Sequence, residues 1–226
     1  MINEIISRAF TEFDKLLLGC EKKIFKTGFV AHHGIQRSGT NFLLNSLKRH
    51  HLRVINRHDL ERNIPSHKHF RWYEDKSIIP KEIVKEYGND VFASNVNELN
   101  MICNFPVNTK HIVIQKEESA SLVSILNWGL RVKWFNTKEE AISAAARFKA
   151  DINEYYKFWG NLSKKTPTQV QLINCDLLIK HNSLLEKKLR KLNIKVKFMD
   201  LSVEEVPQSP NDRKKIISFS DIEHLF

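Results

Sequence analysis

The stretch Gly34-Ile-Gln-Arg-Ser-Gly-Thr-Asn41 decides how the rest of the chain is read. Its two glycines stand five apart, the spacing that lets backbone N–H groups turn inward around an oxyanion. Upstream, Lys26-Thr-Gly-Phe-Val-Ala-His32 reads as a short strand. Downstream, Phe42, Leu43, Leu44 and Leu47 give residues 40–50 the apolar spacing of a helix. A helix start presents unpaired N–H donors and a partial positive charge. Arg37 adds a fork of donors there, and Ser38 and Thr40 add hydroxyls. Leu52-Arg-Val-Ile55 follows as a second short strand, so the stretch opens a βαβ unit. A magnesium-dependent nucleotide triphosphatase needs Lys and then Ser or Thr after the second glycine, and Thr40 and Asn41 occupy those places. That chemistry is disfavoured.

The same alternation continues outward. Val91-Phe-Ala93, His111-Ile-Val-Ile-Gln115, Val170-Gln-Leu-Ile173 and Val196-Lys-Phe-Met199 are strand candidates. Helical patterns cover 117–130, 138–160 and 184–192. Residues 2–24 place Ile6, Phe10, Phe13, Leu17 and Cys20 three and four apart, predicting an amphipathic helix packed on the domain. Residues 56–80 are rich in histidine, arginine and aromatics without periodicity, and read as a long active-site loop. Residues 207–226 form a C-terminal tail that begins as a loop. Short apolar strands alternating with helices predict an α/β fold. The expected form is a three-layer α/β/α arrangement with a mainly parallel central sheet and a P-loop-like strand-loop-helix. A length of 226 residues suits one domain spanning 1–226.

Lys and Arg number 36 against 26 Asp and Glu, a net charge of +10, so the surface attracts phosphates, sulfates or acidic polymers. Cys20, Cys103 and Cys175 are odd in number and far apart, which fits a reducing compartment better than a disulfide framework. No apolar run reaches the ~20 residues a spanning helix needs. Glu4 stands where a secretory leader would carry basic residues, and a cytoplasmic location is expected.

Gln36-Arg37-Ser38-Gly39-Thr40-Asn41-Phe42-Leu43 resembles the loop of sulfotransferases that binds the 5′-phosphosulfate, where a basic residue precedes Ser-Gly-Thr. In that family a later strand ends in an arginine, and a serine eight residues on helps bind the 3′-phosphate. Lys116 and Ser124 stand at this spacing, on the strand 111–115 and the following helix. Lys116 offers a point charge where the family has a bidentate arginine, and Glu118 stands where it has proline. A third echo is Asn174-Cys-Asp-Leu177, similar to a late Tyr-Glu-Asp-Leu in which Asp176 would cap or brace the fold. The resemblance implies 3′-phosphoadenosine 5′-phosphosulfate as donor, no metal, and sulfuryl transfer to an acceptor hydroxyl. Gln36, Arg37, Ser38, Gly39, Thr40, Asn41, Lys116 and Ser124 would hold the donor.

Such a transfer needs a base for the acceptor proton and cations for the charge developing on the leaving oxygen. Arg37 serves the second need. His58, His67 and His69 lie in the long loop, and histidine titrates near ~6.5. Lys68-His69-Phe70 is similar to a Lys-His in some small sulfotransferase-like proteins, which ranks His69 first as base with Lys68 assisting and His58 second. Glu117 and Glu118 are alternative bases, with a helix first turn as the simpler account of them. Arg71-Trp-Tyr73, Trp128, Trp134 and Phe135 offer stacking surfaces. A non-catalytic protein using the same basic cleft for nucleotide or nucleic acid is the alternative; nucleic acid is disfavoured because no aromatic-basic repeat is present.

Overall fold

A computed structural model describes residues 2–24, 28–59, 64–69, 95–181, 183–195 and 215–226. The strands form around short stretches of β-branched and apolar residues. These are β1 (Phe29–His33), β2 (Arg53–Val54), β3 (Lys110–Gln115) and β4 (Val170–Asn174). All five residues of β1 and the central four of β3 are buried, as a parallel strand covered on both faces requires. The four strands make one all-parallel sheet in the order β2-β1-β3-β4. His33 pairs with Val113, and Val113 with Leu172, so the carboxyl ends of the strands lie together.

Helices occupy the connections: α1 (Ile2–Ile24), α2 (Thr40–Arg49), α3 (Val96–Ile102), α4 (Glu118–Arg131), α5 (Lys138–Ser143), α6 (Ala145–Lys165), α7 (Cys175–Lys180) and α8 (Ser183–Lys191). Alternate strand residues point to opposite faces, and two apolar clusters result. Val30, Ile112, Ile114 and Ile173 pack with Leu43 and Leu47 of α2 and with Leu185 and Leu189 of α8. Phe29, Ala31, Val113 and Val170 pack with Leu99 of α3, Leu122 and Leu126 of α4, and Phe148, Tyr155 and Trp159 of α6. The architecture is α/β and compatible with three α/β/α layers.

Several elements differ from the sequence expectation. The expected helix 138–160 is two helices meeting at Ala144, whose backbone ends α5 and starts α6. The buried stripe Ala141, Ala145, Phe148, Ile152, Tyr155 and Trp159 nevertheless runs through both, because the helical spacing survives the break. The chain turns straight from β4 into α7, and Asn174 caps it by accepting from Leu177 N at 2.9 Å. Asp176, expected to cap or brace the fold, is exposed in the first turn, and the cap is Asn174. α1 turns its apolar stripe outward: Phe10 is 70% exposed and Phe13 60%, while Leu18 (5%) and Asp14 make its contacts with the body of the protein. The tail forms two 3-10 turns, Phe219–Asp221 and Glu223–Leu225, and buries Ile217 and Ile222. Asn127 of α4 anchors it, accepting from Ile216 N (2.8 Å) and Ile217 N (3.0 Å). The expected strands 91–93 and 196–199, Arg71-Trp-Tyr73 and the loop 207–214 lie outside the described residues, as does most of 56–80 beyond residues 56–59 and 64–69. Among the described residues, no helix is long and apolar enough to cross a membrane.

Candidate functional site

Strand order places a crevice where it can matter. From β1 the chain moves outward to β2 on one side, while β3 lies on the other, so the connections leaving β1 and β3 diverge. In open parallel sheets ligands bind beyond the carboxyl ends of the strands at such a point. Two turns meet here: residues 34–39, joining β1 to α2, and Lys116-Glu117, joining β3 to α4.

The first turn is built around close approach. A Cβ on Gly34 would sit 2.5 Å from Ser38 Oγ, 2.7 Å from Thr40 Cγ2 and 2.8 Å from Ile114 Cγ2, inside van der Waals contact. Gly39 has φ +95° and would press a Cβ to 2.7 Å from Cys175 Sγ. Arg37 adopts φ 72°, a left-handed conformation costing ~1–2 kcal/mol for a side-chain-bearing residue. Such strain is kept where the surroundings over-determine it. Ser38 N and Oγ both donate to Ile35 O, at 3.1 and 2.7 Å. Tyr156 OH donates to Ile114 O (3.0 Å) and accepts from Ile35 N (3.5 Å), stapling the turn to β3. Burial pushes the Tyr156 phenol far above its ordinary pKa, opposed by its contacts with Ser38 and Ile35, so it stays a neutral donor. At the start of α2, Gly39 supplies no side-chain cap and the first turn holds no acidic residue. The helix therefore turns an electropositive end toward the crevice.

Residues 64–69 come back onto this turn. Gly34 N donates to Lys68 O at 3.0 Å, Lys68 Nζ donates to Asn41 Oδ1 at 2.5 Å, and His69 Nε2 lies 2.8 Å from Thr40 Oγ1. His69 N donates to His67 Nδ1 at 3.0 Å, with the two rings edge to face. Of the expected site residues, the structure thus brings Thr40, Asn41, Lys68 and His69 together by hydrogen bonds, with Ser38 and Gln36 buried beside them. Arg37 reaches across the crevice, its guanidinium 5.1 Å from the ring centre of Trp128 on α4. Arg131 lies 4.1 Å from the same ring. Ser124 is one helical turn before Trp128, on the face turned to Arg37, and Ser121 shares that face. Ser121 Oγ and Trp128 Nε1 are buried without a hydrogen-bond partner among the described residues.

The second turn is chemically different. Lys116 lies close enough to Cys175, the neighbour of Gly39, to offset part of the burial and Asp176 charge that push that thiol up to about 11. Glu117 caps α4 from its own side chain, accepting from Ser119 N at 3.0 Å and Ala120 N at 2.7 Å. Burial opposes its ionisation, but the Ser119 hydroxyl, those amides and Lys116 outweigh burial and hold its pKa below the ordinary value. Glu118 accepts from Asn153 Nδ2 at 2.7 Å. Both glutamates have fixed partners of their own.

His58 is engaged at α1, its Nε2 2.6 Å from Asp14 Oδ2. The Arg57 guanidinium takes the other Asp14 oxygen at 2.6 Å. Hydrogen bonding by Arg57 leads the effects that hold the Asp14 carboxyl down at about 2 against the opposing effect of burial.

Two further histidines were unreadable as polar groups in the sequence. His33 Nε2 lies 3.0 Å from His111 Nδ1, and His111 Nε2 lies 2.9 Å from Asn100 Oδ1. Asn100 Nδ2 donates to Val107 O, so its oxygen accepts. His111 therefore carries its proton on Nε2, and His33 donates from Nε2. Burial lowers the pKa of both, that of His111 to about 3, so the chain is neutral. These residues sit in strands that are otherwise largely apolar, and only their pairing across β1 and β3 reveals the network. Among the described residues, no cluster of His, Cys, Asp and Glu is arranged to hold a metal ion.

The fold and site together define a parallel α/β protein with a glycine-bounded turn and a basic crevice at the divergence of its strands. No family model, curated protein or solved structure matches the chain.

Proposed function

We propose that the chain is a sulfotransferase-like enzyme that uses 3′-phosphoadenosine 5′-phosphosulfate as donor and a hydroxyl as acceptor. The carrying observation is the contact of His69 Nε2 with Thr40 Oγ1 at 2.8 Å. It puts a titratable base on the turn whose Arg-Ser-Gly-Thr sequence resembles a phosphosulfate loop. In this reading the uncapped start of α2, with Gly39 and Thr40, receives the 5′-phosphosulfate. Lys116 and Ser124 take the 3′-phosphate. The acceptor oxygen bonds to sulfur as its proton passes to His69 Nε2. The bond from sulfur to the bridging phosphate oxygen breaks, and its electron pair leaves on adenosine 3′,5′-bisphosphate. Arg37 and Lys68 offset the charge appearing on that oxygen. Thr40 has one hydroxyl proton, so donating it to a bound anion releases His69 to the acceptor.

Calorimetric titration with adenosine 3′,5′-bisphosphate tests this reading. Micromolar binding, weakened at least ~30-fold in Arg37→Ala, is the expected result. Absence of binding to folded protein would remove the proposal. One observation favours a second reading, a non-catalytic nucleotide-binding protein: Glu117 already fills the start of α4 beside Lys116. Binding of the bisphosphate with no sulfuryl transfer to any of a broad pool of hydroxyl acceptors would select it.

A further inference from the structure

Asn56 follows β2 and is 1% exposed, and its side-chain amide makes four hydrogen bonds. Its Oδ1 accepts from His32 N at 3.1 Å and from His32 Nδ1 at 2.7 Å. Its Nδ2 donates to His32 O at 2.9 Å and to Ser66 O at 3.2 Å. Three of the four bonds therefore grip one residue of β1, two positions before Gly34. They also fix the His32 tautomer, because an oxygen that only accepts requires the proton on Nδ1. Burial lowers the His32 pKa to about 3, partly opposed by the Asn56 bond, so the ring stays neutral and the grip is not disturbed by its titration near neutral pH.

The fourth bond leaves the strand. Ser66 lies three residues before His69, in the segment that returns to the turn through Lys68 O, Lys68 Nζ and His69 Nε2. Those three contacts all lie at the far end of the segment. Asn56 holds its near end against the strand that leads into Gly34, with Cys103 Sγ donating to Pro65 O at 3.3 Å beside it, so the segment is tied to β1 at one end and to the turn and the start of α2 at the other. A side chain held at only one end loses placement, and an error of an ångström at a reacting group costs orders of magnitude in rate.

We infer that Asn56 is a positioning residue that sets Lys68 and His69 over the glycine turn. The inference rests on the function proposed above for its effect on rate, but its structural part stands separately. Asn56→Asp keeps an oxygen for His32 and loses both donors, including the one to Ser66. Asn56→Ser is uncharged and too short to span the gap. In the full chain, amide hydrogen exchange at Gly34, whose N–H is bound to Lys68 O, reports whether the segment is docked. Exchange at Ile112 and Val113 in β3 reports on the sheet. Both variants are expected to exchange Gly34 at least ~10-fold faster with the β3 amides within ~2-fold of wild type. With the phosphosulfate donor, kcat is expected to fall ~30-fold or more while the dissociation constant of adenosine 3′,5′-bisphosphate stays within ~3-fold. Unchanged Gly34 exchange overturns the inference. So does parallel acceleration in β3, or collapse of both variants, since either makes Asn56 a support of the sheet alone. If the wild type neither binds the bisphosphate nor transfers sulfate, the proposed function fails, while the exchange result still decides the positioning.

Discussion

The turns from β1 into α2 and from β3 into α4 start from adjacent parallel strands and end in helices at the same edge of the sheet, yet their helix starts are opposite in chemistry. α2 begins at a left-handed glycine, with no side-chain cap and no acid in its first turn. α4 begins at Glu117, whose carboxylate takes two of its own amides, with Glu118 following. One helix start has no side-chain cap, and the other caps itself. The two turns differ in length and in backbone, Gly39 being left-handed (φ 95°) and Glu117 not (φ −52°), as well as in the side chains at the helix start.

The broadest way to break both turns together is acid, because their strands share buried neutral histidines. The pKa values of His32 and His111 are lowered to about 3, and that of His33 well below its ordinary value, all by burial. Each folded value lies below the unfolded ~6.5, so the unfolded chain binds more protons in between. Stability is fully present above pH ~6.5 and is lost as pH falls toward 3. The expected slope approaches ~1.4 kcal/mol per pH unit for each of these histidines, measurable by urea unfolding between pH 7.5 and 5.5. A pH-independent midpoint over that range would contradict the burial of these rings.

Gly34→Ala should break the first turn alone. The added Cβ meets Ser38, Thr40 and Ile114 at 2.5 to 2.8 Å, so overpacking of ~1–3 kcal/mol is expected, read as a lower urea midpoint with unchanged slope. A neutral result would show that the turn gives way easily, and its claim to be a rigid anion site would weaken. Glu117→Gln sharpens the contrast at the other turn with the smallest effect. Losing the carboxylate from the amides of Ser119 and Ala120 costs ~0.5–1 kcal/mol near neutral pH. Because the folded pKa of Glu117 is lowered, this difference from wild type should vanish as pH falls below the ordinary carboxyl range. A difference that persists in acid would assign the loss to packing.

The parallel α/β class was legible because strand and helix periods alternate and because β1 and β3 carry short apolar runs, Phe29–Ala31 and Ile112–Ile114. Legible too was the sharp turn between β1 and α2, since glycine spacing is a local property. Other features were not. The outward apolar stripe of α1 and the split at Ala144 depend on what each helix leans against. His69 ranked above His58 only through the resemblance of Lys68-His69; their partners were hidden, Asp14 of a helix some forty residues upstream for His58 and Thr40 for His69. Asn56 and Tyr156 carried no signal, because a polar residue beside a strand or inside an apolar helix stripe reveals its partner only when distant segments meet.

By itself, then, the sequence determined the class of fold and the place of the turn between its first strand and the helix that follows, through residue period and glycine spacing. Tertiary structure alone decided what each loop histidine bonds to, which helix start carries a side-chain cap, and which buried amide ties the segment of His69 to the strand. Those are contacts between residues far apart in the chain, and hydrogen-bond partners over such separations are set by packing, not by neighbours in sequence.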